Sequence, residues 1–272
     1  MKYTHDLTGK VAVVTGAGGV LCSMFAQTLA QNGAKVALLD LNYDAAKAAA
    51  EKIGDNALAV QANCLEKASL EAARDKVTER FGRVDLLING AGGNNPRGTT
   101  DDEMYDADSA KSFFDLDDSG IKFVLELNFL GTLLPTQVFA PLMLENEGVI
   151  INVSSMNAYR PLTKIPAYSG AKSAVSNLTQ WLAVYFAKSG IRVNAIAPGF
   201  FVTNQNRALL FDDKGNPTPR TEKILRATPM GRFGEAQELC GTLMWLADNN
   251  ASGFVTGTVI PVDGGFSAYS GV

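Results

Sequence analysis

Short runs of β-branched and other apolar residues alternate along the chain with stretches whose apolar positions recur every three or four residues. That is the pattern of strands and amphipathic helices. Val11-Ala12-Val13-Val14 is followed by a helical pattern to Asn32, a stop at Gly33 and a second apolar run from Val36 to Leu39. The rhythm then predicts a helix over 43–53 stopped by Gly54, a strand over 58–61, and a helix over 66–81 stopped by Gly82. Leu70, Ala73, Val77 and Phe81 fall on one face of that last helix. Further strands are predicted at 86–88, 149–153, 193–196 and 259–260. About seven strands alternating with helices predict an α/β fold, a doubly wound parallel sheet covered on both faces.

No repeat, low-complexity tract or linker divides the chain, so residues 1–272 read as one domain. Two segments break the rhythm, 93–118, rich in Asn, Asp and Thr, and 204–234. Both follow predicted strand ends, where open α/β sheets form their ligand crevice, and both are predicted to be substrate loops.

Composition narrows the chemistry. A formal net charge of -4 lacks the footprint of a nucleic-acid binder. No stretch approaches the roughly 18 consecutive apolar residues of a membrane span. Cys22, Cys64 and Cys240 lie far apart and are odd in number, and the polar first ten residues carry no secretory pattern, so a reducing, cytoplasmic setting is expected. The single histidine, His5, reads as a surface residue, which disfavours a histidine-based triad and a multi-histidine site; no metal is expected.

Thr15-Gly16-Ala17-Gly18-Gly19-Val20-Leu21-Cys22 closes the first strand and opens the first helix. Glycines there let backbone approach a pyrophosphate, and free N–H groups at the helix start hold its charge. Leu21 occupies the last position of a strict G-x-G-x-x-G. Asp40 ends the second strand, twenty-four residues after Gly16, where a carboxylate accepts hydrogen bonds from ribose hydroxyls and repels a 2′-phosphate. The alternative reading makes Asp40 a cap for the helix that follows. Leu41 and Asn42 offer no cation, so NAD is favoured over NADP.

Tyr168 and Lys172 stand at i and i+4, on one helical face, where an ammonium can lower a phenol's pKa towards the working pH. The same spacing recurs at Tyr43 and Lys47, near the expected adenosine, where no redox chemistry would occur. What separates the two is Ser154-Ser155, which ends the apolar run before Tyr168, so that Ser155 and Tyr168 can reach one carbonyl oxygen.

With these motifs the chain resembles the short-chain dehydrogenase/reductase family over nearly its whole length, from Thr15-Gly16 through Asn89-Gly90-Ala91-Gly92, Asn128, Ser155, Tyr168, Lys172 and Pro198-Gly199 to Val262-Asp263-Gly264-Gly265. The resemblance implies a Rossmann-type sheet and an NAD-dependent oxidoreductase. Tyr168 would exchange the proton, Ser155 would orient the substrate oxygen, Lys172 would hold the nicotinamide ribose, and Asn128 would position a water. Cofactor contacts would come from Gly16, Gly18, Gly19, Val20, Leu21, Asp40, Asn63, Cys64, Asn89, Ala91, Gly92, Pro198, Gly199, Phe201 and Thr203, besides Tyr168 and Lys172. Three departures stand out: Val20 and Cys22 replace glycines, Asn63 replaces an acid that meets adenine, and Gly90 replaces an asparagine. The resemblance also implies a homotetramer, and 174–186, apolar on more than one face, fits a helix covered by a partner subunit.

A closer likeness, carried by Gly92-Gly93-Asn94-Asn95-Pro96, Phe113-Phe114-Asp115-Leu116, Met156-Asn157-Ala158, Pro161-Leu162-Thr163-Lys164 and Phe200 through Arg207, is to the D-mannonate oxidoreductase (fructuronate reductase) branch. It implies a sugar-acid substrate, with D-mannonate and D-fructuronate interconverted. Another sugar-acid or polyol dehydrogenase is the neighbouring reading, and a non-catalytic NAD-binding regulator the alternative from another class. Amides at Asn94, Asn157, Gln205 and Asn206 suit hydroxyls, and Lys164 or Arg207, with Arg160 and Arg97 behind them, suits the carboxylate. Eight acids in 93–118 oppose an anion unless they point outward while Phe113 and Phe114 pack inward.

Overall fold

The computed structural model describes residues 5–144, 146–203 and 206–271. Gln205 lies outside them. Seven strands form one sheet in the order β3-β2-β1-β4-β5-β6-β7, every neighbouring pair parallel. They are β1 (Val11–Thr15), β2 (Lys35–Asp40), β3 (Ala57–Gln61), β4 (Leu86–Asn89), β5 (Val149–Val153), β6 (Arg192–Pro198) and β7 (Val259–Val262). The crossovers carry α1 (Val20–Gln31), α2 (Tyr43–Glu51), α3 (Lys67–Phe81), α4 (Asp118–Leu125), α5 (Gly131–Phe139) and α6 (Pro166–Phe186). After β6 come α7 (Arg207–Leu210), α8 (Pro219–Ala227), α9 (Cys240–Ala247) and α10 (Asn249–Ser252).

The side-chain alternation of a strand divides the core into two layers. Ala12 and Val14 of β1 join Phe25 and Leu29 of α1 and Leu243 of α9 on one face. Val11 and Val13 join Leu70 of α3, Phe139 of α5 and Leu178 of α6 on the other. A buried Val, Ile or Leu side chain contributes about 1.5–3 kcal/mol, so the continuous apolar strands commit the sheet to burial on both sides. The turn after α3 is forced by Gly82, which takes φ 80° and returns its N–H to Thr78 O at 2.8 Å.

Strand order reverses between β1 and β4, and the crevice at the carboxyl ends of the strands opens there. One feature of the scaffold was not foreseen. Between α4 and α5 the helix widens into a π turn, Glu126–Leu130, with Asn128 inside it. His5 is also more than a surface residue: it is half-buried, and its Nδ1 lies 2.9 Å from Asp248 Oδ2 at the α9–α10 junction.

Candidate active site

The glycine turn is shaped by what it nearly touches. Gly16 takes φ 66°, and a Cβ there would stand 2.9 Å from Ala91 Cα. A Cβ on Gly18 would stand 3.0 Å from Asp40 Oδ2, whose carboxylate accepts the Gly18 N–H at 2.8 Å. Gly19 caps α1 with no side-chain bond, which leaves the first-turn N–H groups of Val20, Leu21 and Cys22 free of a side-chain cap. This cradle fits the diphosphate of a dinucleotide. Asp40 does not cap α2, because Asn42 does so through Ala45 N. Its Oδ1 accepts Asn42 N at 2.9 Å, and each oxygen keeps a lone pair for a ribose hydroxyl.

The segment after β4 lies across this turn. Thr15 Oγ1 accepts Gly90 N at 3.1 Å and Ala91 N at 3.3 Å. Asn89, expected to line the adenosine, instead turns into the sheet. Its Nδ2 donates to Thr136 Oγ1 and Asn152 Oδ1, both at 2.9 Å, while Asn152 Nδ2 donates to Thr179 Oγ1. This buried polar thread ties α5 to α6 through β4 and β5, and Asn152, Thr136 and Thr179 escaped the sequence reading because each looked like an ordinary core position. Asn63 is likewise engaged: Oδ1 accepts Leu65 N and Nδ2 donates to Glu66 Oε1. Cys64 is buried, its thiol pushed up to about 12 by desolvation.

The four expected catalytic side chains come from three elements. In the π turn Asn128 Nδ2 donates at 2.7 Å to Val124 O, the carbonyl that a regular α-helix would pair with the N–H of residue 128. The same amide clasps Gly93, accepting its N–H at 3.2 Å and donating to its carbonyl at 2.8 Å. A Cβ on Gly92 would meet Asn128 Oδ1 at 2.6 Å and Lys172 Nζ at 3.2 Å, so both groups crowd one side of that glycine. Lys172 is buried on α6 and donates to Val153 O at 2.8 Å, and burial lowers its pKa to about 8. Ser155 Oγ accepts Asn157 N at 3.3 Å. Tyr168 is half-buried; desolvation raises its pKa, with the Ser155 hydroxyl opposing. The expected lowering by Lys172 is not found in the protein alone, because the ammonium is turned to Val153 O, 5.7 Å from the phenol ring centre. The second Tyr-Lys pair is divided: Tyr43 is exposed, and Lys47 lies 4.0 Å from Glu51.

Where the nicotinamide is expected, Gly199 N donates to Val262 O at 2.9 Å, and a Cβ on Gly199 would meet Asp263 Cα at 2.6 Å, which fixes the chain leaving Pro198. Phe201, expected to contact cofactor, is instead core: its ring fills the space beside Gly234. Thr203 is half-buried, its N–H held by Asn206 Oδ1.

The substrate rim diverges more from expectation. Asn206 spends its amide on loop backbone, accepting Thr203 N and donating to Phe201 O, both at 2.8 Å. Asn94 is exposed and bonds Thr99. Lys164 adopts φ 71°, accepts Thr100 N on its carbonyl and donates its ammonium to Asp101 O, fastening the first loop to the segment before α6. Arg160 donates to Tyr269 O, and Arg97 pairs with Asp117. Arg207 is exposed over the Phe211 ring, and among the described residues it makes no ion pair. Phe113 and Phe114 face outward, 66% and 79% exposed, contrary to expectation. The acids of this loop are spent locally: Asp115 closes a capping box with Ser112, Asp117 caps α4, and Glu103 pairs with Lys223 at 2.8 Å, which lowers its pKa. Asn157 is different. It is 3% exposed, beside Ser155, with Oδ1 unpartnered.

A switch-point cradle with a carboxylate at its edge, joined to a serine, a tyrosine, a lysine and an asparagine at one strand end, defines a dinucleotide-dependent oxidoreductase of carbinol and carbonyl groups. The chain belongs to the short-chain dehydrogenase/reductase family. The family profile described as enoyl-(acyl carrier protein) reductase matches residues 19–267. An uncharacterized oxidoreductase of Haemophilus influenzae is 60% identical over 98% of this chain and 96% of its own length. The Bacillus subtilis oxidoreductase UxuB is 52% identical over 98% of both chains. A crystal structure from Haemophilus influenzae, provisionally named a D-mannonate oxidoreductase and solved with bound NAD, superposes with a TM-score of 0.95 at 60% identity over 98% of each chain.

Proposed function

We propose that this protein is an NAD(H)-dependent oxidoreductase that interconverts D-mannonate and D-fructuronate. The single observation in the site that carries a polyhydroxy substrate is Asn157, a buried amide whose oxygen has no partner beside the Ser155 hydroxyl. A buried acceptor left unpaired costs about 1–3 kcal/mol, which a substrate hydroxyl would recover. The 60% identical relative provisionally named for D-mannonate narrows the class to this sugar acid. Asp40, with exposed Leu41 and the capping Asn42 beside it, supports NAD over NADP.

A nicotinamide dinucleotide held by the glycine turn and Asp40 would supply or accept the hydride. Tyr168 gives its proton to the developing alkoxide in reduction and takes it back in oxidation, at an oxygen that Ser155 orients. Lys172, held by Val153 O, provides the positive charge near the ribose and the phenol. Asn128 holds Gly93 and, with it, the floor between cofactor and relay. Of the four candidate cations, Arg207 is the one that, among the described residues, makes no ion pair or backbone bond with its side chain, and it would meet the substrate carboxylate.

The protein works as a cytoplasmic homotetramer in this reading. α6 turns Trp181, Val184 and Tyr185 outward, Trp181 57% exposed and stacked on Tyr185 at 4.8 Å, a face that suits a second copy.

Rates on a panel of hexonates and ketohexonates with NADH and NADPH test the assignment. Fructuronate reduction with NADH should dominate. Inactivity on fructuronate with turnover of another member, 5-ketogluconate for example, would replace the substrate, and cofactor binding without any turnover would revive the regulator.

A further inference from the structure

Two of the departures from the family pattern meet in space. Cys22 lies in the first turn of α1, on the sheet side, and is buried. Gly90 follows β4. A Cβ built on Gly90 would stand 2.1 Å from Cys22 Sγ, closer than any two such atoms can approach, and 3.6 Å from Cys22 Cβ. The next obstacle, Thr15 O at 3.0 Å, would need to yield by only a few tenths of an ångström. The sulfur therefore fills the volume that a side chain at position 90 would take.

What lies on either side gives this contact its function. The N–H groups of the same helical turn face the diphosphate cradle. The strand end that the sulfur touches runs on through Ala91 and Gly92 to Gly93, where Asn128 clasps it and Lys172 stands close. Thr15 Oγ1 pins the segment from the third side. A shift at Gly90 would thus be felt at the cradle and at the proton relay.

We propose that Cys22 and Gly90 are a matched pair of positioning residues, a large-with-small exchange of the family's small-with-large arrangement, which sets the distance between the diphosphate cradle and the Gly90–Gly93 floor. The pair rests on the dinucleotide reading of the crevice. Thiol chemistry is not part of it, because burial pushes the Cys22 thiol up to about 12 and leaves it a neutral sulfur at neutral pH.

The double-mutant cycle that tests this is read by NADH fluorescence titration, with thermal midpoint and kcat at saturating NADH alongside. Gly90→Asn should weaken NADH binding at least about tenfold, and Cys22→Gly about threefold or more, each raising the KM for NADH more than it lowers kcat. Cys22→Gly/Gly90→Asn should return NADH binding to within about threefold of wild type. Gly90→Ala replaces Gly90→Asn in the cycle if the asparagine variant does not fold, with the same direction expected. Losses that simply multiply in the double variant, or a Gly90→Asn protein that binds NADH normally, would overturn the pairing. A wild-type protein that binds neither NADH nor NADPH would instead sink the dinucleotide reading.

Discussion

Around the glycine turn and the catalytic helix, the polar groups that matter are buried or half-buried and are aimed by backbone next to them. Asn128 is locked onto Gly93 and Val124, Lys172 onto Val153, and Asp40 onto Gly18. The rim formed by 93–118 and the loop after β6 is built the other way. Its polar side chains are mostly exposed and satisfy one another, as in the Ser112–Asp115 box, the Asn206 clasp and the Glu103–Lys223 pair. The groups expected to serve cofactor and proton chemistry are held before any ligand arrives, and Asn157 beside Ser155 keeps an unpartnered oxygen there, whereas the rim is organised first for its own shape and, among the described residues, leaves Arg207 without an ion pair. In a fold that hosts many substrates, specificity then rests on a few uncommitted groups rather than on every polar residue near the entrance.

The comparison is tested most severely at Tyr168. Tyr168→Phe removes one hydroxyl from the preorganised half and should lower kcat by about 10²–10⁴-fold while NADH binding is retained. Steady-state rates with a parallel fluorescence titration check this; substantial residual turnover would move the proton donor elsewhere.

Lys172 tests the same half by pH. Its pKa falls from 10.5 to about 8 on burial, so between those two values the unfolded chain binds the extra proton. Stability contributed at this site therefore rises with pH through that window and is lowest below it, where the buried ammonium is charged. The full swing is about 3 kcal/mol at most. Thermal midpoints of wild type and Lys172→Met, compared in cofactor-free protein across that window, should shift in the wild type's favour as pH rises. A pH-independent difference would mean that Lys172 does not titrate there.

Two asparagines then set the halves against each other. Asn157→Ala should raise the KM for the sugar acid about 5- to 150-fold, the range expected for a buried polar contact worth about 1–3 kcal/mol, with little change for NADH. Asn206→Ala releases Thr203 N and Phe201 O and should act mainly on loop stability, with a smaller effect on that KM. The reverse ranking would return Asn206 to the substrate.

Legibility followed the same division. The strands were readable because two-sided burial demands unbroken apolar runs such as Val149–Val153, and their ends needed adjusting by no more than about two residues. Asp40, Ser155, Tyr168 and Lys172 could be singled out as candidates because the chemistry expected of them requires particular types at particular spacings. The π turn was not, since one widened turn leaves no periodic trace in so short a stretch, although an asparagine inside an apolar helix was its signal. The engagement of Asn89, Asn63, Asn206 and Phe201 was also invisible. An amide or a ring near a strand end looks the same whether it faces a ligand or its own backbone, and only tertiary contact decides.

Lys164 gives the smallest and most discriminating effect. It was expected to bind the carboxylate, yet its ammonium is turned to Asp101 O, its carbonyl takes Thr100 N, and its backbone sits at φ 71°, a region that costs a residue bearing Cβ about 1–2 kcal/mol. Lys164→Ala keeps that strain and loses the ammonium; Lys164→Gly loses the ammonium but removes the strain. If Lys164 serves the rim, the glycine variant should be more stable than the alanine variant by about 1 kcal/mol in denaturant unfolding, and its KM for the sugar acid should stay within about threefold of wild type. If the ammonium binds the carboxylate, both variants should raise that KM alike by about tenfold or more, whatever their stabilities, and Lys164 would then join Asn157 and Arg207 among the groups that meet the substrate.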